Sequence, residues 1–80
     1  MKKVAVILTK NWCEDVKLVL CQNKEEAADV LKKMYLQEIH EVDVFDYNNT
    51  FLDEEGMYAQ VTYGLEATEI RVANVLPQAV

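Results

Sequence analysis

Asp46-Tyr47-Asn48-Asn49-Thr50 places oxygen-bearing side chains at alternate positions, as the first three ligands of a calcium loop would be placed. The template then fails. Phe51 stands where glycine must make the sharp turn, and Met57 where a bidentate glutamate must close the shell. Asp and Asn engaged in ordinary turn chemistry account better for this stretch. His40, between Glu38 and Glu41 in a short acidic run, is the only histidine, and a metal centre or an acid–base pair needs convergent partners. Cys13 or Cys21 acting as a nucleophile with His40 would have to meet it in space beside an oxyanion donor. Two glycines leave little scope for such a backbone nest. A histidine at the negative end of a helix is the simpler role. The sequence therefore predicts no enzyme, no metal site and no cofactor, with a small enzyme or cation-binding protein ranking last among the readings.

Nine carboxylates and no lysine or arginine lie between Glu38 and Glu69, whereas residues 1–37 carry seven lysines against five acids. The net charge of −6 is thus divided into about +2 for the first part and −8 for the remainder. This asymmetry determines what each surface can attract. Asp43, Asp46, Asp53, Glu54 and Glu55 are interleaved with Phe45, Tyr47, Phe51 and Tyr58. Carboxylates held along a rigid edge can imitate the phosphates of DNA and occupy a basic groove, while aromatic side chains anchor the contact. The plainer alternative is a solvated loop region whose aromatics complete a thin core. Trp12, in the first loop, is a further candidate anchor, although in a small protein an indole more often lids the open end of the core. The lysines Lys2, Lys3, Lys10, Lys17, Lys24, Lys32 and Lys33 do not read as a nucleic-acid surface. Only one arginine accompanies them, no base-stacking aromatics interleave with them, and the overall charge repels phosphate.

These residues need a scaffold, and eighty residues suffice for one small domain, 1–80, that buries roughly 60% of its unfolded surface. A hydrophobic content of 51% with two glycines and one proline argues against disorder. The longest apolar run, residues 4–8, is too short to cross a bilayer. Lys2-Lys3 ahead of that run faintly resembles a secretion signal, but Lys10 interrupts it and no small-residue cleavage site follows. A cytoplasmic protein without a membrane segment is expected. Cys13 and Cys21 are too few for a secreted disulfide framework. As ends of a hairpin arm they would stand up to about 20 Å apart, so reduced thiols are expected, with Cys13 the more exposed.

Val4-Ala5-Val6-Ile7-Leu8 suits a central strand. Polar residues 10–15 turn the chain, and residues 16–21 alternate as a second, antiparallel strand. Asn23 and Glu26 have the spacing of a capping box. Ala27, Ala28, Val30, Leu31, Met34 and Tyr35 then fall on one helical face. Glu38 falls on that same apolar stripe, which predicts that the helix ends near it. Residues 41–47 alternate acid and apolar, a pattern open to a short edge strand or a loop, and residues 46–50 predict a turn. After the charged turn Asp53-Glu54-Glu55-Gly56, residues Met57, Ala59, Val61 and Tyr63 share one strand face. A turn over 64–67 leads to a last strand, 68–76, carrying Ile70 and Val72 inward and stopped by Pro77.

The run Asp53-Glu54-Glu55-Gly56-Met57-Tyr58-Ala59-Gln60-Val61-Thr62-Tyr63, followed by Ile70-Arg71-Val72, resembles the closing hairpin of small uncharacterised bacterial and phage-encoded α+β proteins. The opening strand and the acid-capped helix Lys24-Glu25-Glu26-Ala27-Ala28 are similar in order. The resemblance implies a mobile-element setting and transfers no catalytic residue.

The expected fold is α+β, one helix on a four- to five-stranded antiparallel sheet in the order ββα(β)ββ. The expected function is a non-enzymatic acidic protein-binding module, in its sharpest form an inhibitor or regulator of a nucleic-acid-binding protein acting by phosphate mimicry. Asp43, Asp46, Asp53, Glu54 and Glu55 would supply charge, and Phe51 and Tyr58 the anchors. The alternative is a small self-associating structural protein, a homo-oligomer paired through its hairpin edges.

Overall fold

The computed structural model of the chain describes residues 4–11, 14–42 and 46–75, the side chains of 14–16 excepted. Expectations resting on Lys2, Lys3, Trp12, Cys13, Asp43, Phe45 and Pro77 lie outside these residues.

One helix packs on a five-stranded antiparallel sheet, an α+β architecture. In chain order the elements are β1 (Val4–Lys10), β2 (Glu14–Cys21), α1 (Lys24–Glu41), a 3-10 turn (Tyr47–Asn49), β3 (Phe51–Leu52), β4 (Tyr58–Tyr63) and β5 (Glu66–Asn74). In space the strands run β2-β1-β5-β4-β3. Among the described residues, the first and last strands in that order are therefore the sheet edges.

Periodicity decides which side chains meet. In β1 the even residues Val4, Val6 and Leu8 point to α1, and the register sets Cys21 opposite Val4 and Val19 opposite Val6. Ala59 of β4 and Ile70 of β5 complete that face. Ala27, Leu31 and Met34 of α1 close over it, with Val19, Val30, Tyr35, Leu52 and Val72 around the margin. The inward placement of Ile70 and Val72 agrees with the alternation of the last strand. On the other face, Ala5 and Thr9 of β1 are buried among their neighbours, without a second layer among the described residues. β1 is thus well buried, but it lies second in the sheet, and β5 is the middle strand.

The helix begins as its capping residues dictate. The Glu26 amide donates to Asn23 Oδ1 at 2.8 Å, and Glu26 Oε2 accepts from the Gln22 amide at 2.9 Å, one residue before the cap. The first bond satisfies an amide that the helix start leaves open, and the second ties the residue before the cap to the first turn. Its end corrects the expectation from sequence. The helix runs past Glu38 to Glu41, and Glu38 is buried within it. A carboxylate is tolerated on the packed face because partners meet it there. Thr68 Oγ1 donates to Glu38 Oε2 at 3.4 Å, Lys10 Nζ lies 3.9 Å from the same oxygen, and Tyr63 Oη is 3.2 Å from Thr68 Oγ1. Burial of a polar group is costly only when such partners are missing.

A short edge strand follows the 3-10 turn. Among the described residues it is Phe51–Leu52, paired with Gln60 and Ala59; of the segment 41–47, Glu41 belongs to the helix and Tyr47 to the 3-10 turn, and residues 43–45 lie outside the described residues. The last hairpin turns more tightly than expected, on Gly64 and Leu65 alone, so β5 starts at Glu66 and ends at Asn74. Gly64 has φ +62°, the positive φ at the first of two connecting residues that such a turn requires.

Candidate protein-binding edge

The β3–β4 hairpin and the loop before it carry most of the acidic and aromatic residues singled out from sequence. Asp46 caps the 3-10 turn. Its Oδ1 accepts from the Asn48 amide at 3.0 Å and its Oδ2 from Asn49 Nδ2 at 2.7 Å. The loop is tied to β4 by the Asp46 amide donating to the Thr62 carbonyl at 2.7 Å, and by Gln60 Nε2 and Thr62 Oγ1 each donating to the Asn49 carbonyl at 2.9 Å. The Asp46 carboxylate is thus occupied in turn chemistry, as the failed calcium template suggests. Among the described residues, no three His, Cys, Asp or Glu side chains form a metal-binding group.

Asp53, Glu54 and Glu55 form the exposed turn at the other end of the hairpin. The turn is fixed by the Gly56 amide donating to the Asp53 carbonyl at 3.0 Å and by the Asp53 amide donating to the Tyr58 carbonyl at 2.8 Å. Gly56, at φ +73°, sits directly against Ala28 of α1. That contact seats the acidic turn on the helix. Strand rise places Asp46 and this turn about 13 Å apart along β4, with Phe51 between them. Phe51 is 46% exposed, and its ring stands 5.7 Å from that of Tyr58 at 36°. Tyr47 is 81% exposed beside Asp46. Among the described residues, no salt bridge engages Asp46, Asp53, Glu54 or Glu55. Asp53, Glu54 and Glu55 are thus exposed with no ion-pair partner among the described residues.

Tyr58 is only part of this edge. Its side chain shares the sheet face away from α1 with Glu69 and Arg71. Tyr58 Oη donates to Glu69 Oε2 at 2.9 Å and lies 3.3 Å from Gln60 Oε1. Arg71 Nη1 in turn reaches Glu69 Oε1 at 3.1 Å and Thr9 Oγ1 at 3.2 Å. Burial first, then the hydrogen bond to Glu69 and its charge, push the Tyr58 phenol up to about 12, against a smaller opposing pull from Arg71. This Tyr58–Glu69–Arg71 row was not singled out from sequence. Its signal was the alternation of Glu69 and Arg71 with the inward Ile70 and Val72.

The sign of the resulting pH dependence follows from where the proton is held. Between pH about 10 and about 12 the unfolded tyrosine has lost its proton and the folded one keeps it. The stability that Tyr58 contributes is therefore complete below pH about 10 and falls as pH rises to about 12. The difference in phenolate absorbance between the wild type and Tyr58→Phe is expected to titrate near 12, and Glu69→Gln to move that midpoint down. A midpoint near 10 in the wild type would show that neither the burial of Tyr58 nor its hydrogen bond to Glu69 is held in solution.

His40 lies exposed in the last helical turn. Cys21 is buried in the core. No described helix is long and apolar enough to cross a membrane. Comparison of the chain with protein-family models, with curated proteins and with solved structures finds no match.

Proposed function

We propose that this chain is a non-enzymatic protein-binding module that uses its acidic β3–β4 edge to dock on a basic partner. The observation that carries the reading is the exposed row of Asp46, Asp53, Glu54 and Glu55 flanking the exposed ring of Phe51, with no internal cation on these acids among the described residues. Three carboxylates on the turn of a hydrogen-bonded hairpin, with Asp46 in the loop at its other end, suit a protein surface built for phosphates. An aromatic ring between them supplies the apolar contact that charge alone does not. In its sharpest form the module inhibits or regulates a nucleic-acid-binding protein by occupying its phosphate-binding groove, the behaviour expected of a protein carried by a phage or mobile element. Asp43 belongs to the same acidic run. Phe51 is the anchor, and Tyr58 acts behind it by holding its ring.

The test is a nuclease-treated pulldown from host lysate followed by affinity measurement on the recovered partner at low and high salt. Reversal of Asp53, Glu54 and Glu55 to lysine is expected to weaken binding roughly 10- to 100-fold at low salt, at about 0.5–1 kcal/mol per surface charge. The effect should shrink as salt screens it. The wild type should also displace nucleic acid from the partner. Unchanged low-salt affinity in the triple variant sinks the proposal.

A further inference from the structure

The two edges of the sheet are built differently. β3 is two residues long, is preceded by a capped turn and is followed by three acids, features that keep an edge from pairing with another strand. β2 runs for eight residues and, among the described residues, has a neighbour on one side only. We infer that β2 pairs with β2 of a second copy of this chain, antiparallel about a two-fold axis at Val19. The two five-stranded sheets then join into one. This inference is independent of the acidic edge, which lies at the far side of the sheet.

Three observations select a second copy and set its register. β2 is irregular between the residues facing Leu8 and Thr9, so its regular stretch against β1 is residues 17–21, whose midpoint is Val19. Continuing a sheet across a perpendicular two-fold axis requires facing residues to lie on the same side, so the axis passes through a residue of β2. An axis at Lys17 would set lysine against lysine, which is unfavourable directly across a strand pair. An axis at Val19 avoids this and sets Leu18 against Leu20 of the other copy, twice.

Leu18 and Leu20 are the second observation. Val19 and Cys21 belong to the face packed by α1, so the two leucines point to the opposite face, where they are 59% and 44% exposed. Ile7 stands opposite Leu18 and Ala5 opposite Leu20. The pairing would turn two exposed pairs of leucines into one continuous apolar strip.

Charge placement is the third. By sequence the acids Glu14 and Asp15 open β2. An antiparallel pair keeps the two acidic starts at opposite ends, whereas a parallel pair would bring them together. The contact is short. It buries less than the roughly 1,200 Å² of a standard interface, so the dimer is weak and its population rises with protein concentration.

Sedimentation of the full chain from micromolar to millimolar concentration tests this, alongside hydrogen exchange at both ends of the range. The expected result is a reversible dimer at high concentration, with β2 amides exchanging more slowly there and β3 amides unchanged. Leu18→Lys combined with Leu20→Lys should weaken dimerisation at least about tenfold while leaving the far-ultraviolet circular dichroism unchanged, because both side chains are on the surface. The Asp53/Glu54/Glu55→Lys variant should dimerise as the wild type does. A strict monomer at millimolar concentration overturns the inference. So does a dimer insensitive to the leucine changes, or one whose added protection lies outside β2. The exchange measurement on the wild type decides the matter even if the double variant does not fold.

Discussion

Leu31→Ala is expected to cost about 2–5 kcal/mol and to move the urea midpoint far down, or to leave no folded protein at all. Leu31 is fully buried where α1 meets the sheet, in the cluster that joins Val6, Leu8, Ala59 and Ile70. Shortening it removes transfer free energy and leaves a cavity that a single helix cannot readily close. Small size makes the loss severe: at about 0.05–0.15 kcal/mol per residue, a chain of 80 residues has about 4–12 kcal/mol in total. Leu36→Ala is the control. Leu36 is on the same helix and 53% exposed, so its change should stay within about 0.5 kcal/mol. Equal effects at the two positions in equilibrium unfolding would mean that α1 does not pack through the face bearing Leu31.

The helix face was legible because Ala27, Val30, Leu31, Met34 and Tyr35 repeat at helical spacing, and the Asn23 cap was legible because its partner stands three residues away. What was not legible depended on distant partners. Glu38 looked like a stop because a lone carboxylate breaks an apolar stripe. The groups that accommodate it, Thr68 and Lys10, lie about 30 residues away in either direction. β3 has two residues, too few for any periodicity, and exists only because Gln60 and Ala59 stand opposite. In β2 both rows of side chains are largely apolar, so alternation established a strand without saying which row faces inward. Val19 and Cys21 take the helix side, and Leu18 and Leu20 are left outside. The same limit applies to the candidate site. The turn over Asp53, Glu54 and Glu55 was plain from Gly56, but Tyr58 read as a free anchor because Glu69 is eleven residues away.

Gly56→Ala should destabilise the protein by about 2–4 kcal/mol, more than Gly64→Ala, although both glycines have positive φ. Left-handed backbone costs a residue with a side chain about 1–3 kcal/mol at either position. Only at Gly56 does a second cost arise, because a Cβ there would stand 3.0 Å from Ala28 Cβ, whereas nothing lies within 4 Å at Gly64. Overpacking of this kind costs about 1–3 kcal/mol, reduced here by whatever shift the turn allows. Ala28→Gly removes the obstructing atom at a helix-propensity cost of about 1 kcal/mol. The double variant should therefore be more stable than the sum of the two single changes predicts, a coupling of about 1 kcal/mol in a double-mutant cycle. Purely additive energies would mean that the turn is not seated on α1 in solution. The seating also bears on binding. Gly56→Ala leaves Asp53, Glu54 and Glu55 chemically intact, so a turn displaced from Ala28 should weaken a partner that reads their spacing. Ala28→Gly in the same chain should recover part of that affinity together with the stability, which links the position of the carboxylates, rather than their number, to recognition.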